Sequence, residues 1–311
     1  MTQLPEHVEV SAEAVCSIAR RHGIRADEVA RLPEVGITNA VYLLGDHLVL
    51  RVPRNHPVHI ALARKEVVAA GVARVAGVRT PRIVAYDDAG DLLPVPYTVY
   101  ERVHGDTLGL LELDPSGSPG AWRELGRDLG LLHTRVVQGG PAGGLGRPGL
   151  PDPRPWAEEL AREGYFSAVE ERWLAGWFDR LGPAATAPLP SRFLHGDVQA
   201  TNVMVRGDTL DYLAVLDWGS SGWGDPARDF ASGQPLRAVP YLLEGHREVA
   251  PLDDDDTAEA RILWWQLQLA LWLVRRTPQP GRSWGERPMA MLLDILRFAM
   301  ESPGPRWREW L

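Results

Sequence analysis

Two hydrophobic periods divide this chain, and the place where one gives way to the other most limits what it can fold into. Between residues 36 and 103, β-branched, aromatic and aliphatic residues come in short runs cut by turn formers. Val41 to Leu44 precede a turn at Gly45 and Asp46, and Leu48 to Val52 follow it; Ile83 to Tyr86 and residues 97–103 flank a second turn around Asp88 and Gly90. Residues 59–76, rich in Ala, Val and Arg, interrupt these runs with a helical pattern. Strand, strand, helix, strand, strand predicts an antiparallel sheet carrying one helix. Beyond residue 103 the helical period takes over: Leu125, Leu129, Leu132 and Val136 share one stripe, and helices are expected over residues 156–181, 257–276 and 288–301. Residues 11–32 read as one or two short helices broken at Gly23. The expected class is α+β, with a sheet lobe over residues 1–103 and a helical lobe over residues 104–311. The Gly- and Pro-dense stretch 139–155 reads as a loop rather than a boundary, and no internal repeat is visible.

Composition narrows the classes. With 45% apolar and 24% charged residues the chain is globular, not disordered or fibrous. The single cysteine, Cys16, has no internal partner for a disulfide, which points to a reducing compartment. The longest apolar stretch, residues 262–274, holds Gln266 and Gln268 and reads as a buried helix rather than a membrane span. No basic segment followed by an apolar run opens the chain, so a cytoplasmic location is expected. A net charge of −8 argues against nucleic-acid binding and leaves room for a cationic partner. Lys65 is the only lysine among 33 basic residues, so a cation needed anywhere else must be arginine.

The chemistry concentrates between helical segments. His195-Gly196-Asp197 opens a non-helical stretch that continues through Asn202, a strand at residues 203–205, a turn at Gly207 and Asp208, a second strand at residues 213–216, and Asp217. Pairing the two strands as a hairpin brings Asn202 and Asp217 together, with Asp197 on the same loop. Such an oxygen-bearing cluster suits Mg2+, which takes oxygen ligands and keeps waters and substrate phosphates in its shell. Asn202 and Asp217 suffice as protein ligands, and Asp197 is left to accept or orient a proton from an attacking hydroxyl. Phosphoryl transfer needs this positioning and charge neutralisation more than covalent help.

With Leu216-Asp217-Trp218-Gly219 and Gly224-Asp225-Pro226 followed by Asp229, the His195-Gly196-Asp197 and Asn202 motif resembles the aminoglycoside phosphotransferase and choline kinase family, relatives of protein kinases. The matching features extend over residues 36–231. The resemblance implies a protein-kinase-like bilobed fold, with an antiparallel-sheet nucleotide lobe and a mainly helical catalytic and acceptor lobe. It places Asp197 at the family's catalytic aspartate and Asn202 and Asp217 at its metal ligands. Gly36, Thr38 and Asn39 match the loop over the nucleotide phosphates. Glu66 matches the helix glutamate that pairs with a strand cation, and Tyr100, Glu101 and Val103 fall in the strand and hinge beside the adenine. Asp225 and Asp229 match structural carboxylates. Two departures stand out. Arg51 occupies the position where the family usually has lysine, and its fork can bind phosphates but is longer and flatter. Gln199, Ala200 and Thr201 stand where the loop often carries a basic or prolyl residue.

The implied activity is ATP- or GTP-dependent transfer of the γ-phosphate to a hydroxyl of a small molecule, first an aminoglycoside or similar antibiotic. A macrolide, an amino sugar, or a choline-like or homoserine-like metabolite remains open as acceptor. The rival is a nucleotide-binding pseudoenzyme, motivated by Arg51. A protein kinase is disfavoured because the interval from Asp217 to Asp229 leaves no room for a long activation segment. A monomer is expected. His195 reads as a hydrogen-bonding brace for its loop and His133 as a packing residue. Asp253 to Asp256 read as a solvated loop or helix start, or else as a patch attracting a polycation. Trp264, Trp265 and Trp272 lie in a core register, or else stack on a ligand.

Overall fold

Helix α1 (Ala12–Arg21) begins where Ser11 Oγ accepts the N–H of Ala14 at 3.1 Å, and the helical course stops at Gly23, whose φ of +76° turns the chain. The structure, a computed structural model, describes residues 10–33, 39–146, 151–277, 287–301 and 303–311. The expected phosphate-loop residues Gly36 and Thr38 lie outside the described residues. The second helix, after Gly23, is a single 3-10 turn at Ala26–Glu28. Val29–Arg31 is instead strand β1, paired antiparallel with Leu44, Leu43 and Tyr42, because this short apolar segment satisfies its backbone on the edge of the sheet.

β2 (Asn39–Leu44) and β3 (Leu48–Pro53) form the expected hairpin, turning at Gly45 with φ +61°. Helix α2 (Pro57–Ala76) starts earlier than its apolar pattern suggests: Pro57 takes the first turn and the His56 ring accepts the N–H of Val58 at 3.3 Å. β4 (Ile83–Asp87) and β5 (Tyr97–Glu101) complete an antiparallel five-stranded sheet of order β1-β2-β3-β5-β4. The last strand ends at Glu101, two residues short of expectation, where Arg102 N–H crosses to His47 O at 2.8 Å.

Strand alternation gives the sheet two faces. Ala40, Tyr42, Leu44, Leu50 and Val52 point into a core closed by Val15 and Ile18 of α1. Val41, Leu43, Val49 and Arg51 point the other way and line a cleft. On α2, Ala69, Ala70 and Ala73 join a second core, made by the helical remainder of the chain.

That remainder holds β6 (Asp106–Thr107), α3 (Leu108–Leu111), α4 (Pro119–Arg135), α5 (Arg154–Arg162), α6 (Ala168–Ala185), β7 (Arg192–Leu194), β8 (Val203–Val205), β9 (Tyr212–Val215), β10 (Gly222–Gly224), α7 (Val239–Val249), α8 (Ala258–Val274), α9 (Ala290–Met300) and α10 (Pro305–Arg308). Residues 156–181 are not one helix: Gly164, at φ +87°, ends α5, and Ser167 with Glu170 forms a capping box that starts α6. α7 has no counterpart among the expected helices. It packs against α4 with its backbone almost touching, since a Cβ on Gly245 would lie 1.9 Å from Arg123 O and one on Gly126 2.1 Å from Leu242 O. Among the described residues no helix is long and apolar enough to cross a membrane.

Candidate active site

The β8–β9 hairpin sets the site. Its register pairs Val203 with Val215 and Met204 with Ala214, and Leu216 N–H then reaches Asn202 O at 2.8 Å. Asn202 and Asp217 therefore stand at the same end of the hairpin, and both line a cavity of about 350 Å³ whose opposite wall is the cleft face of the sheet. Asp217 adopts φ +66°, a left-handed conformation that side chains other than glycine rarely take. That turn carries its carboxylate to Arg51, whose Nη2 lies 3.2 Å from Asp217 Oδ2. The other arm of Arg51 bonds Glu66 of α2, and its guanidinium sits 5.8 Å from the ring centroid of Tyr100.

Electrostatics follow from burial. Removal from water pushes the Glu66 carboxyl up to about 7, against the opposing pull of Arg51. Burial works against the charge on Arg51, but Glu66 and Asp217 outweigh it and hold its pKa above the usual value. Tyr100, also buried and beside Glu66, is raised as well.

Asp197 is not on the wall of this cavity but is joined to it through Asn202. Its carboxylate accepts Asn202 Nδ2 at 3.0 Å, and Gln199 Nε2 reaches both of its oxygens at 3.0 Å. His195 braces the turn: Asp197 N–H donates to its Nδ1 at 3.2 Å, so its Nε2 carries the proton donated to Leu216 O at 2.9 Å. Gly196 between them has φ +84°. Beneath the loop, Asp229 accepts the backbone N–H groups of His195 and Gly196. Asp225 is occupied elsewhere, capping Ala227 N–H at 3.0 Å and pairing with the fully buried Arg261.

Because Asn202 spends its nitrogen on Asp197, and Asp217 spends Oδ2 on Arg51, one amide oxygen and one carboxylate oxygen at the cavity wall accept no hydrogen bond from the described residues. Hard oxygen donors of this kind fit a magnesium ion. Among the described residues, the one group of His, Cys, Asp or Glu with mutually close ligand atoms is elsewhere, at Asp46, His47 and His104, exposed and with Asp46 already paired to Arg102.

Of the residues expected around the nucleotide, Arg51, Glu66, Tyr100, Glu101 and Val103 line the cavity, whereas Asn39 opens β2 opposite Pro53 and is not on its wall. Thr80 and Trp218 are wall residues that sequence reasoning did not single out, and the Trp218 indole N–H donates to Thr80 Oγ1 at 2.9 Å. A second cavity, of about 430 Å³, adjoins the other side of the Asp197 loop, bounded by Gln199, Thr201, Glu112, Asp114, Arg237 and Arg297 among others. The tryptophans of α8 are absent from both walls. Trp264 is buried against Phe178, Trp265 donates to Asp225 at 3.3 Å, and Trp272 is exposed beneath Arg276. Within the acidic run, Asp253 is paired with Arg192 and Asp255 with Arg247 and Arg306.

A model of the phosphotransferase enzyme family matches residues 29–240. The chain belongs to this family. Among solved structures, the GDP complex of aminoglycoside 2'-phosphotransferase-IIIa is similar with a TM-score of 0.67 and 18% identity, over 93% of this chain and 99% of that one. Macrolide 2'-phosphotransferase MphH from Brachybacterium faecium follows at 0.60 and 23% identity, over 84% and 91%. A choline/ethanolamine kinase family protein from Mesorhizobium loti gives 0.56 and 20%, over 91% and 90%. At these identities the structural likeness speaks for the shared fold. Among curated proteins, none matches the chain in sequence. The phosphotransferase thus has an α+β fold, an antiparallel sheet facing a mainly helical remainder across the cavity that Asn202 and Asp217 line.

Proposed function

We propose that this phosphotransferase moves the γ-phosphoryl group of ATP or GTP to a hydroxyl of a small molecule, in the presence of Mg2+. The observation that carries the reading is that Glu66, Arg51, Asp217 and Asn202 line one cavity, and that Asn202 is hydrogen-bonded to the Asp197 carboxylate just behind that wall. In this reading residues 1–103 form the nucleotide lobe and residues 104–311 the catalytic and acceptor lobe.

Arg51 binds the phosphates as a fork, oriented by Glu66. Asn202 and Asp217 hold the magnesium ion, which when bound neutralises charge on the phosphate oxygens. Asp197 accepts the acceptor's hydroxyl proton as the new O–P bond forms and the bond to the leaving nucleoside diphosphate breaks. Gln199 holds the Asp197 oxygens from the side of the second cavity, and the cavity beyond Gln199 is the acceptor's place.

A cationic aminoglycoside is the first acceptor class to test, on the family resemblance and the net charge of −8. The cavity's own charges are mixed, Glu112 and Asp114 against Arg237, Arg287 and Arg297, so the panel extends to macrolides, amino sugars, choline-like and homoserine-like alcohols. The bonds from Arg51 to both Glu66 and Asp217 support a working cation here, against the pseudoenzyme reading. Purified protein is incubated with ATP or GTP, Mg2+ and each acceptor. A product heavier by one phosphate supports the proposal; tight nucleotide binding with no product from any acceptor refutes it.

A further inference from the structure

Behind the Asp197 loop, buried polar groups run in a line from the catalytic loop to α7. Asp229, 0% exposed, accepts the backbone N–H of His195 at 2.8 Å and of Gly196 at 2.7 Å, and its Oδ2 faces His133 Nε2 at 3.0 Å. His133 Nδ1 lies 3.0 Å from His246 Nε2, and these rings are 2% and 1% exposed. A buried carboxylate needs donors, so His133 donates from Nε2, and the contact between its Nδ1 and His246 Nε2 is bridged by one proton. Burial, and the His133 ring beside it, lower the His246 pKa to about 3, so that ring is neutral. His246 Nδ1 is left buried without a hydrogen bond, a cost that an aliphatic side chain would avoid.

The rings have little freedom to turn away. Phe230, next to Asp229, packs edge-on against both, its ring centroid 6.5 Å from His133 and 5.6 Å from His246. The close approach of α4 and α7 at Gly126 and Gly245 holds the two histidines at bonding distance. A packing role alone leaves unexplained why the line ends on the two amides that immediately precede Asp197.

We propose that His133 and His246 are positioning residues: by fixing the Asp229 carboxylate they fix the backbone of residues 195 and 196, and so the place of the Asp197 carboxylate. This rests on the phosphotransfer reading for its effect on turnover, but not for its effect on the loop. His133→Leu removes the donor to Asp229, His246→Leu removes the contact behind it, and His133→Gln restores an N–H that can reach Asp229. For each full-length variant, kcat and acceptor KM are measured per folded molecule, nucleotide Kd by calorimetry, and amide exchange on a peptide spanning residues 193–198 in the nucleotide-free protein.

In His133→Leu, kcat falls tenfold or more with nucleotide Kd within about twofold, exchange at His195 and Gly196 quickens at least tenfold, and His133→Gln recovers most of both. His246→Leu, one link further away, gives the same changes at smaller size and serves where His133→Leu does not fold. Loop exchange and kcat both within twofold of wild type, or an equal loss in the glutamine variant, overturn the proposal. Wild-type protein with no turnover on any acceptor would sink the phosphotransfer reading alone, and the exchange rates would still decide this one.

Discussion

Glu66 is the cleft group whose ionisation falls inside the range of an ordinary assay, and its behaviour separates catalytic from structural effects of pH. Burial pushes its carboxyl up to about 7 from its ordinary value of 4.5. If ionised Glu66 orients Arg51 on the phosphates, nucleotide kcat/KM follows the ionised fraction, about 90% at pH 8 and about 10% at pH 6, a roughly tenfold fall. Stability moves the other way. Between 4.5 and about 7 the folded chain holds a proton on Glu66 that the unfolded chain has released, so this group's contribution to stability falls as pH rises through that window. At about 1.4 kcal/mol per pH unit, the gap from 4.5 to about 7 bounds that fall at about 3 kcal/mol. Lowering the pH from 8 to 6 should therefore cost turnover while Glu66 itself makes the fold firmer, a combination that acid unfolding cannot produce. The assay is kcat/KM for the nucleotide against pH beside urea midpoints in the same buffers, for wild type and Glu66→Gln. The glutamine variant should lose the acid limb near 7 and the opposing slope in stability together. An unchanged limb near 7 in Glu66→Gln, or a wild-type limb near 4.5, would refute the reasoning.

Other consequences can be measured on the same protein. Asp197→Asn should keep nucleotide affinity while turnover drops by about 10² to 10⁴; activity close to wild type would remove Asp197 from its proposed role. Arg51→Lys replaces a two-armed contact with a point charge that cannot hold Glu66 and Asp217 at once. Its nucleotide KM should rise about tenfold, or about 1.4 kcal/mol, and an unchanged KM would show that one arm suffices. Chelation by EDTA should abolish turnover, and Asp217→Asn should raise the Mg2+ concentration needed for half-maximal rate; an Mg2+ response equal to wild type argues against Asp217 as ligand. Gly245→Ala puts a Cβ 1.9 Å from Arg123 O and must spread α4 from α7. A loss of about 1 to 3 kcal/mol in urea titration is expected, and no loss would mean that the helices separate freely.

What could be read in the sequence, and what could not, follows from how far apart the interacting residues lie along the chain. The β8–β9 hairpin is local: its turn, its strands and the flanking Asn202 and Asp217 fall within one short stretch, so period and turn chemistry place them together before any tertiary contact is known. The cleft face of β2 and β3 is local in the same way, since alternation alone sends Val41, Val49 and Arg51 to one side. The α7 segment lacks such a signal. Val239, Leu242 and Leu243 give it barely one turn of apolar spacing before the buried positions pass to Gly245 and His246, and its shape answers to glycines of α4 more than a hundred positions earlier. His133 reads as packing for a related reason: an Leu129–Leu132 stripe surrounds it, while its real partner, Asp229, is 96 residues away. Distance also decides the fate of charge. The run from Asp253 to Asp256 looks solvated from composition, yet Arg192, Arg247 and Arg306 arrive from three other segments and pair with Asp253 and Asp255. In a chain with a single lysine, arginine supplies these long-range clamps as well as the cleft cation. The fork that lets Arg51 hold Glu66 and Asp217 together is the same geometry that lets Arg306 hold Asp255 and Glu259. What distinguishes Arg51 is its setting: it stands on the wall of a cavity, between a helix carboxylate and the carboxylate at the end of β9, where a phosphate can take the place of one partner without leaving the other unpaired.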